Sequence, residues 1–138
     1  MRSRSIGRVM TRCAVPLAVL ALAACTRGQE KRFADAAALT GGDPRAGRVK
    51  AREWGCGSCH TIPGVPGANS LVGPPLETVA SRMYIAGVIT NTPEHMVRWI
   101  HDPPAIDSAT AMPRVGLSEH DARDIAAYLY ALPQEGEP

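Results

Sequence analysis

Cys56-Gly57-Ser58-Cys59-His60 decides the fold: two thiols separated by two residues, with an imidazole directly after the second. That order is the attachment signature of a covalent haem. The thiols add across the two vinyl groups, and the histidine that follows is held where its imidazole serves as the proximal iron ligand. Three other readings of the run compete. A thioredoxin-like dithiol sits in a βαβ context, and no strand is expected before Cys56. Half of a zinc site lacks its other half, because the chain has no second C-x-x-C and its H-x₅-H pair, His95 and His101, lies far beyond the roughly 12–15 residues that separate the two halves of a C-x₂-C…H-x₃₋₅-H site. A disulfide across so short a loop would stabilise little.

Working outward to the N-terminus, residues 1–24 read as an export signal. Arg2, Arg4, Arg8 and Arg12 make a basic start, and Cys13 to Ala24 is an apolar run interrupted by Pro16. The run is too short for a confident membrane span. Its end, Leu22-Ala23-Ala24-Cys25, resembles the lipobox of bacterial lipoproteins, which predicts cleavage before Cys25 and lipidation of its thiol. An ordinary secretory signal without lipid is the alternative. Lipid chains would tether the domain to a membrane facing the periplasm or the outer surface without crossing it.

Removing the signal reverses the apparent charge. The whole chain carries 15 Lys and Arg against 13 Asp and Glu, a formal +2. Four of those cations lie in residues 1–24 and none of the acids does, so the mature chain has 11 against 13, a net −2. Basicity therefore gives no argument for a nucleic-acid partner. The cysteines are fully accounted for: Cys13 leaves with the signal, Cys25 takes lipid, and Cys56 and Cys59 take one haem c. Phe33 is the one phenylalanine, so a buried haem is expected to supply apolar volume that the polypeptide lacks.

The remainder divides into a linker over 25–42 and a domain over 43–138. Thr26 to Gly42 is polar and Ala-rich and ends in glycines, which predicts a flexible connection, with a short helix around Phe33 to Leu39 as the competing reading. Asp43-Pro44 is an N-cap followed by proline at the first helical position, opening a helix to about Trp54 with Gly47, Ala51 and Trp54 on one face. Gly and Pro from Ile62 to Gly73 predict an irregular loop, and Leu76 to Arg82 a short helix. Thr92-Pro93-Glu94 caps another helix, stopped by Pro103 and Pro104. Ser118, paired with Asp121, opens the last, whose stripe is Ala122, Ile125, Ala126 and Leu129. No segment alternates as a strand does, so the fold class is all-α, three to five short helices around one haem.

An electron-transfer haem needs a second axial ligand, commonly methionine or histidine. Met112, in the loop Ala109-Thr110-Ala111-Met112-Pro113 between two helices, is the candidate; Met83 is its rival. Met96 lies on a helical apolar stripe and reads as core. His95, His101 and His120 read as surface residues.

These pieces together resemble a class I c-type cytochrome over residues 43 to 133. The resemblance rests on the haem motif, on Gly73-Pro74-Pro75-Leu76, on Thr110-Ala111-Met112-Pro113 and on Asp124-Ile125-Ala126-Ala127-Tyr128-Leu129. Tyr84-Ile85-Ala86-Gly87, with Asn91-Thr92-Pro93-Glu94 and Val97-Arg98-Trp99-Ile100, is similar to the cytochrome c domain of subunit II of bacterial terminal oxidases and to its stand-alone relatives. The resemblance implies His60 and Met112 as iron ligands and the Pro74 carbonyl as acceptor for His60 Nδ1–H. It implies Trp99 beside the axial methionine, Thr110, Tyr84 and Arg82 as propionate partners, and Leu76, Ile125 and Leu129 against the haem. Gly47 and Tyr128 would mark the crossing of the first and last domain helices. Two departures stand out. Ser108-Ala109 replaces the family's common Pro-Gly, which implies a less rigid methionine loop, and Ala51 is smaller than the usual side chain there.

The function implied is one-electron transfer in a respiratory chain without chemistry on a small-molecule substrate. The expected partners are a terminal oxidase or a quinol-oxidising complex, with the lipid holding the carrier at the same membrane. The alternatives are a dedicated haem subunit of a periplasmic redox enzyme and a ligand-binding or peroxidatic haem with an open distal site.

Overall fold

The structure is a computed structural model that describes the backbone of residues 11–133 and the side chains of residues 26–133. Arg2, Arg4 and Arg8 of the expected signal and the side chains of Arg12 and Cys25 lie outside the described residues. The chain divides into two compact units, residues 1–31 and 32–138. The backbone of the first is helical from Thr11, and the helix α1, Thr11–Thr40, continues into the second. Among the described residues, no helix is long and apolar enough to cross a membrane.

The second unit is built on α2 (Pro44–Glu53), α3 (Pro93–His101) and α4 (Glu119–Tyr130). Each begins where its cap predicts. Asp43 Oδ1 accepts from the Arg45 N–H at 2.8 Å, Thr92 Oγ1 from that of His95 at 3.2 Å, and Ser118 Oγ from that of Asp121 at 3.1 Å. Each bond satisfies an amide that the first helical turn leaves without a partner. The helices bury one shared core that includes Ala51, Met96, Val97, Trp99, Ile100, Ala122, Ile125, Ala126 and Leu129.

The tightest contact in the unit is the crossing of α2 over α4. A Cβ on Gly47 would overlap the carbonyl of Asp124, so only a residue without a side chain lets the helices approach this closely. Ala51, fully buried one turn later, extends the same contact, which explains its small size. A charged clasp locks the crossing. Asp124 is 2 % exposed and accepts from the Asp43 N–H at 2.7 Å and from Lys50 Nζ at 2.5 Å. Lys50 also pairs with Asp121 at 2.6 Å.

Three expectations change. The linker foreseen over 25–42 is helical to Thr40, and from Arg32 onward it belongs to the globular unit: Ala36 and Thr40 are buried, and the Arg123 guanidinium donates to the Thr40 carbonyl at 3.5 Å. Alanines at 34, 36, 37 and 38 supply the helix propensity that the polar composition concealed. The helix foreseen over 76–82 is a single 3₁₀ turn, Val79–Ser81. A two-residue hairpin, β1 (Tyr84–Ile85) against β2 (Ile89–Thr90), forms where no strand was expected. Its turn needs positive φ at Ala86 (51°) and Gly87 (77°), and strands of two residues are too short to show alternation.

Gly47→Ala should gain about 1 kcal/mol of helix propensity yet lose more through overpacking, for a net loss of up to about 2 kcal/mol in denaturant unfolding. Equal or higher stability would contradict the close crossing.

The clasp also predicts a pH window. For Asp124, burial pulls the pKa up, but the Lys50 hydrogen bond and the Asp43 amide outweigh it and leave it lowered. Asp121 is lowered chiefly by its hydrogen bond to Lys50, and Lys50 is raised by Asp121 and then Asp124. Carboxylates with lowered folded values stabilise fully above the ordinary 3.8 and lose that contribution as pH falls through the folded values. Lys50 contributes fully below its ordinary 10.5 and loses it as pH climbs through its raised value. Unfolding followed against pH should show both limbs, and Lys50→Met should flatten them.

Candidate functional site

The site begins at the C-terminus of α2, where Gly55 takes a left-handed turn (φ 73°) and a 3₁₀ turn, Cys56–Ser58, follows. The turn places the His60 N–H on the Cys56 carbonyl at 3.0 Å, folding the motif back on itself. Cys56 and Cys59 are free thiols, each half-buried. Burial pushes the Cys56 thiol up, as expected for a sulfur against apolar core rather than an ionised nucleophile. Gly57 lies close to Ala68, whose Cα a Cβ there would meet at 2.8 Å, so the loop closes over the motif.

His60 is positioned from two sides. Its Nδ1 lies 2.7 Å from the Pro74 carbonyl oxygen. A carbonyl can only accept, so Nδ1 carries a proton, and in the neutral imidazole Nε2 is the nitrogen that keeps its lone pair. Gly73 packs against the ring: a Cβ there would lie 2.5 Å from Cε1 and 2.8 Å from Nδ1. The Gly73 N–H donates to the Cys59 carbonyl at 2.6 Å and the Leu76 N–H to that of Thr61 at 2.9 Å, stitching the Gly73–Leu76 turn to the motif. Two half-buried thiols beside an imidazole whose free nitrogen is a metal-ligating lone pair form the donor set that a covalent haem requires.

The other candidate residues lie mostly on α3, α4 and the loop between them. Met112 is half-buried and packs against the core, whereas Met83 is 80 % exposed and Met96 is 1 % exposed within the core. The methionine loop is braced despite the missing Pro-Gly. Asp107 Oδ1 accepts from the Ala109 N–H at 2.9 Å, and Thr110 Oγ1 from that of Met112 at 3.2 Å. Thr110 accepts in this way and still has its own hydroxyl hydrogen to donate.

Trp99, Ile125 and Leu129 are buried, and Leu76 is partly buried against the same core. Tyr84 is 52 % exposed at the edge of the hairpin. Arg82 Nη2 donates to the Pro75 carbonyl at 2.5 Å. Tyr128 does more than fill the helix crossing. Its hydroxyl donates to the Pro63 carbonyl at 2.5 Å and lies against Gly64, tying the 62–73 loop to α4. Sequence reasoning missed Asn91 and Tyr130, whose hydrogen bond joins positions 39 apart. No local pattern announces such a pair.

A family model described as cytochrome c matches residues 45–133. The chain is also similar to cytochrome c oxidase subunit 2 of Alkalihalophilus pseudofirmus, with 33 % identity over 87 residues that make up 62 % of this chain and 25 % of that protein. The chain thus spans about a quarter of the length of that relative. No solved structure matches it.

Proposed function

The chain belongs to the cytochrome c family, and on that premise we propose that it is a one-electron carrier with a single His/Met-ligated haem c. The family carries haem and transfers electrons, and Cys56 and Cys59 stand at its attachment motif. When bound, the haem supplies a one-electron iron couple. Cys56 and Cys59 hold it covalently, and His60 presents Nε2 because Pro74 holds the proton on Nδ1. Met112 serves as the second ligand, supported by its half-buried place in a braced loop and by the outward exposure of Met83. Trp99, Leu76, Ile125 and Leu129 keep water from the site, while Thr110 and Tyr84 offer hydroxyls to the propionates.

The single observation that carries this reading is the bond between His60 Nδ1 and the Pro74 carbonyl. It commits the imidazole to ligation and makes it a stronger donor. Held by His60 and the Met112 thioether, the iron would have a higher potential than with two histidines and would offer no position to oxygen or peroxide. The role is therefore electron transfer rather than catalysis.

The electron acceptor in this reading is a terminal oxidase, a partner suggested by the similarity to an oxidase subunit. The protein is exported, cleaved before Cys25 and held to a membrane by lipid on that cysteine, so that it works at the same surface as its partners. Support for this comes from the basic start, the apolar run and the Leu22-Ala23-Ala24-Cys25 end.

Met112→Ala should abolish the weak far-red absorption of methionine-ligated ferric haem and lower the potential while the haem stays attached. Met83→Ala should do neither, and the reverse outcome would transfer the ligand role to Met83. Cys25→Ser should release the protein from membranes with its spectrum unchanged; retained membrane association contradicts the anchor.

A further inference from the structure

Tyr130 ends α4 with its hydroxyl donating to Asn91 Oδ1 at 2.7 Å. Asn91 directs its amide nitrogen the other way, onto the carbonyls of Val79 at 2.7 Å and Arg82 at 2.8 Å, while its backbone N–H reaches the Met83 carbonyl at 3.0 Å. Chemistry dictates that orientation, since carbonyls only accept and the amide nitrogen must face them. The amide oxygen is then left for a donor. Tyr130 is suited to the part, because burial and the charge of Glu94 push its pKa up to about 12 and keep the hydroxyl protonated.

The chain of contacts does not stop at Arg82. Its backbone is held by Asn91, and its guanidinium donates to the Pro75 carbonyl at 2.5 Å. Pro74 and Pro75 have no N–H, so hydrogen bonds can hold them only through their carbonyls. The Pro75 carbonyl takes Arg82, and that of Pro74 takes His60.

We propose that Tyr130 is a positioning residue for the haem site: acting through Asn91 and Arg82, its hydroxyl holds the Pro74–Pro75 segment where the Pro74 carbonyl orients His60. The proposal rests on the reading of His60 as a haem ligand. It assigns the end of α4 a role in ligand geometry in addition to core packing.

The test uses the ferrous holoprotein and follows solvent exchange of the His60 Nδ1 proton by NMR, with the reduction potential measured in parallel. Tyr130→Phe keeps the ring and removes the hydroxyl. Exchange should quicken about five- to tenfold, the change expected from losing one ordinary hydrogen bond. The potential should rise, because a weaker bond at Nδ1 makes the imidazole a poorer donor. Asn91→Ala should act in the same direction, and the double variant should add little to either single one. Unchanged exchange and potential in Tyr130→Phe, even with a lower melting temperature, would overturn the proposal and leave the haem reading standing, as would additive effects in the double variant. Wild-type protein that carries no covalent haem would overturn the haem reading and this proposal with it.

Discussion

The hydrogen bond from His60 Nδ1 to the Pro74 carbonyl, 2.7 Å long, is the constraint on which the rest of the structure depends. A neutral imidazole can present either nitrogen, and the carbonyl removes that freedom by holding the proton on one of them. The cysteines then fix where the haem is attached, and in the proposed ligation the histidine fixes which atom would meet the iron. Neither would suffice alone, since a tethered haem without an oriented ligand has no defined coordination.

The fold reads as a set of devices for keeping that bond in register. The motif hangs from the end of α2, and α2 is held on α4 by a contact that tolerates no side chain at Gly47. The Lys50 clasp with Asp121 and Asp124 keeps the two helices from sliding. Tyr128, further along α4, donates to the Pro63 carbonyl in the loop that follows His60. One helix therefore supports both ends of the haem-binding segment. Met112, the proposed second ligand, sits in a loop held by Asp107 and Thr110.

What could be read from the sequence was local chemistry. The five-residue motif, the caps at Asp43, Thr92 and Ser118, and the burial of Met96 follow from neighbours a few positions apart. The pairs that tie the site together did not show. Lys50 and Asp124 are 74 positions apart, Tyr128 and Pro63 65 apart, and Tyr130 and Asn91 39 apart, so only the folded chain brings them together. Arg82 adds a contact that no local pattern announces, from its guanidinium to a backbone carbonyl seven residues away. The segment before Asp43 misled for another reason. Its polarity and terminal glycines argued for a linker, whereas its alanines and the docking of Ala36 and Thr40 made a helix.

The central claim is that two protein ligands, His60 and Met112, leave the iron to electron transfer alone. Exposing the reduced holoprotein to carbon monoxide while recording its absorption spectrum tests that claim most directly. A ferrous spectrum that stays unchanged, from a protein that titrates reversibly in a single one-electron step, is the predicted result. Rapid formation of a carbon monoxide adduct by the wild-type protein would show an open distal position and contradict the account.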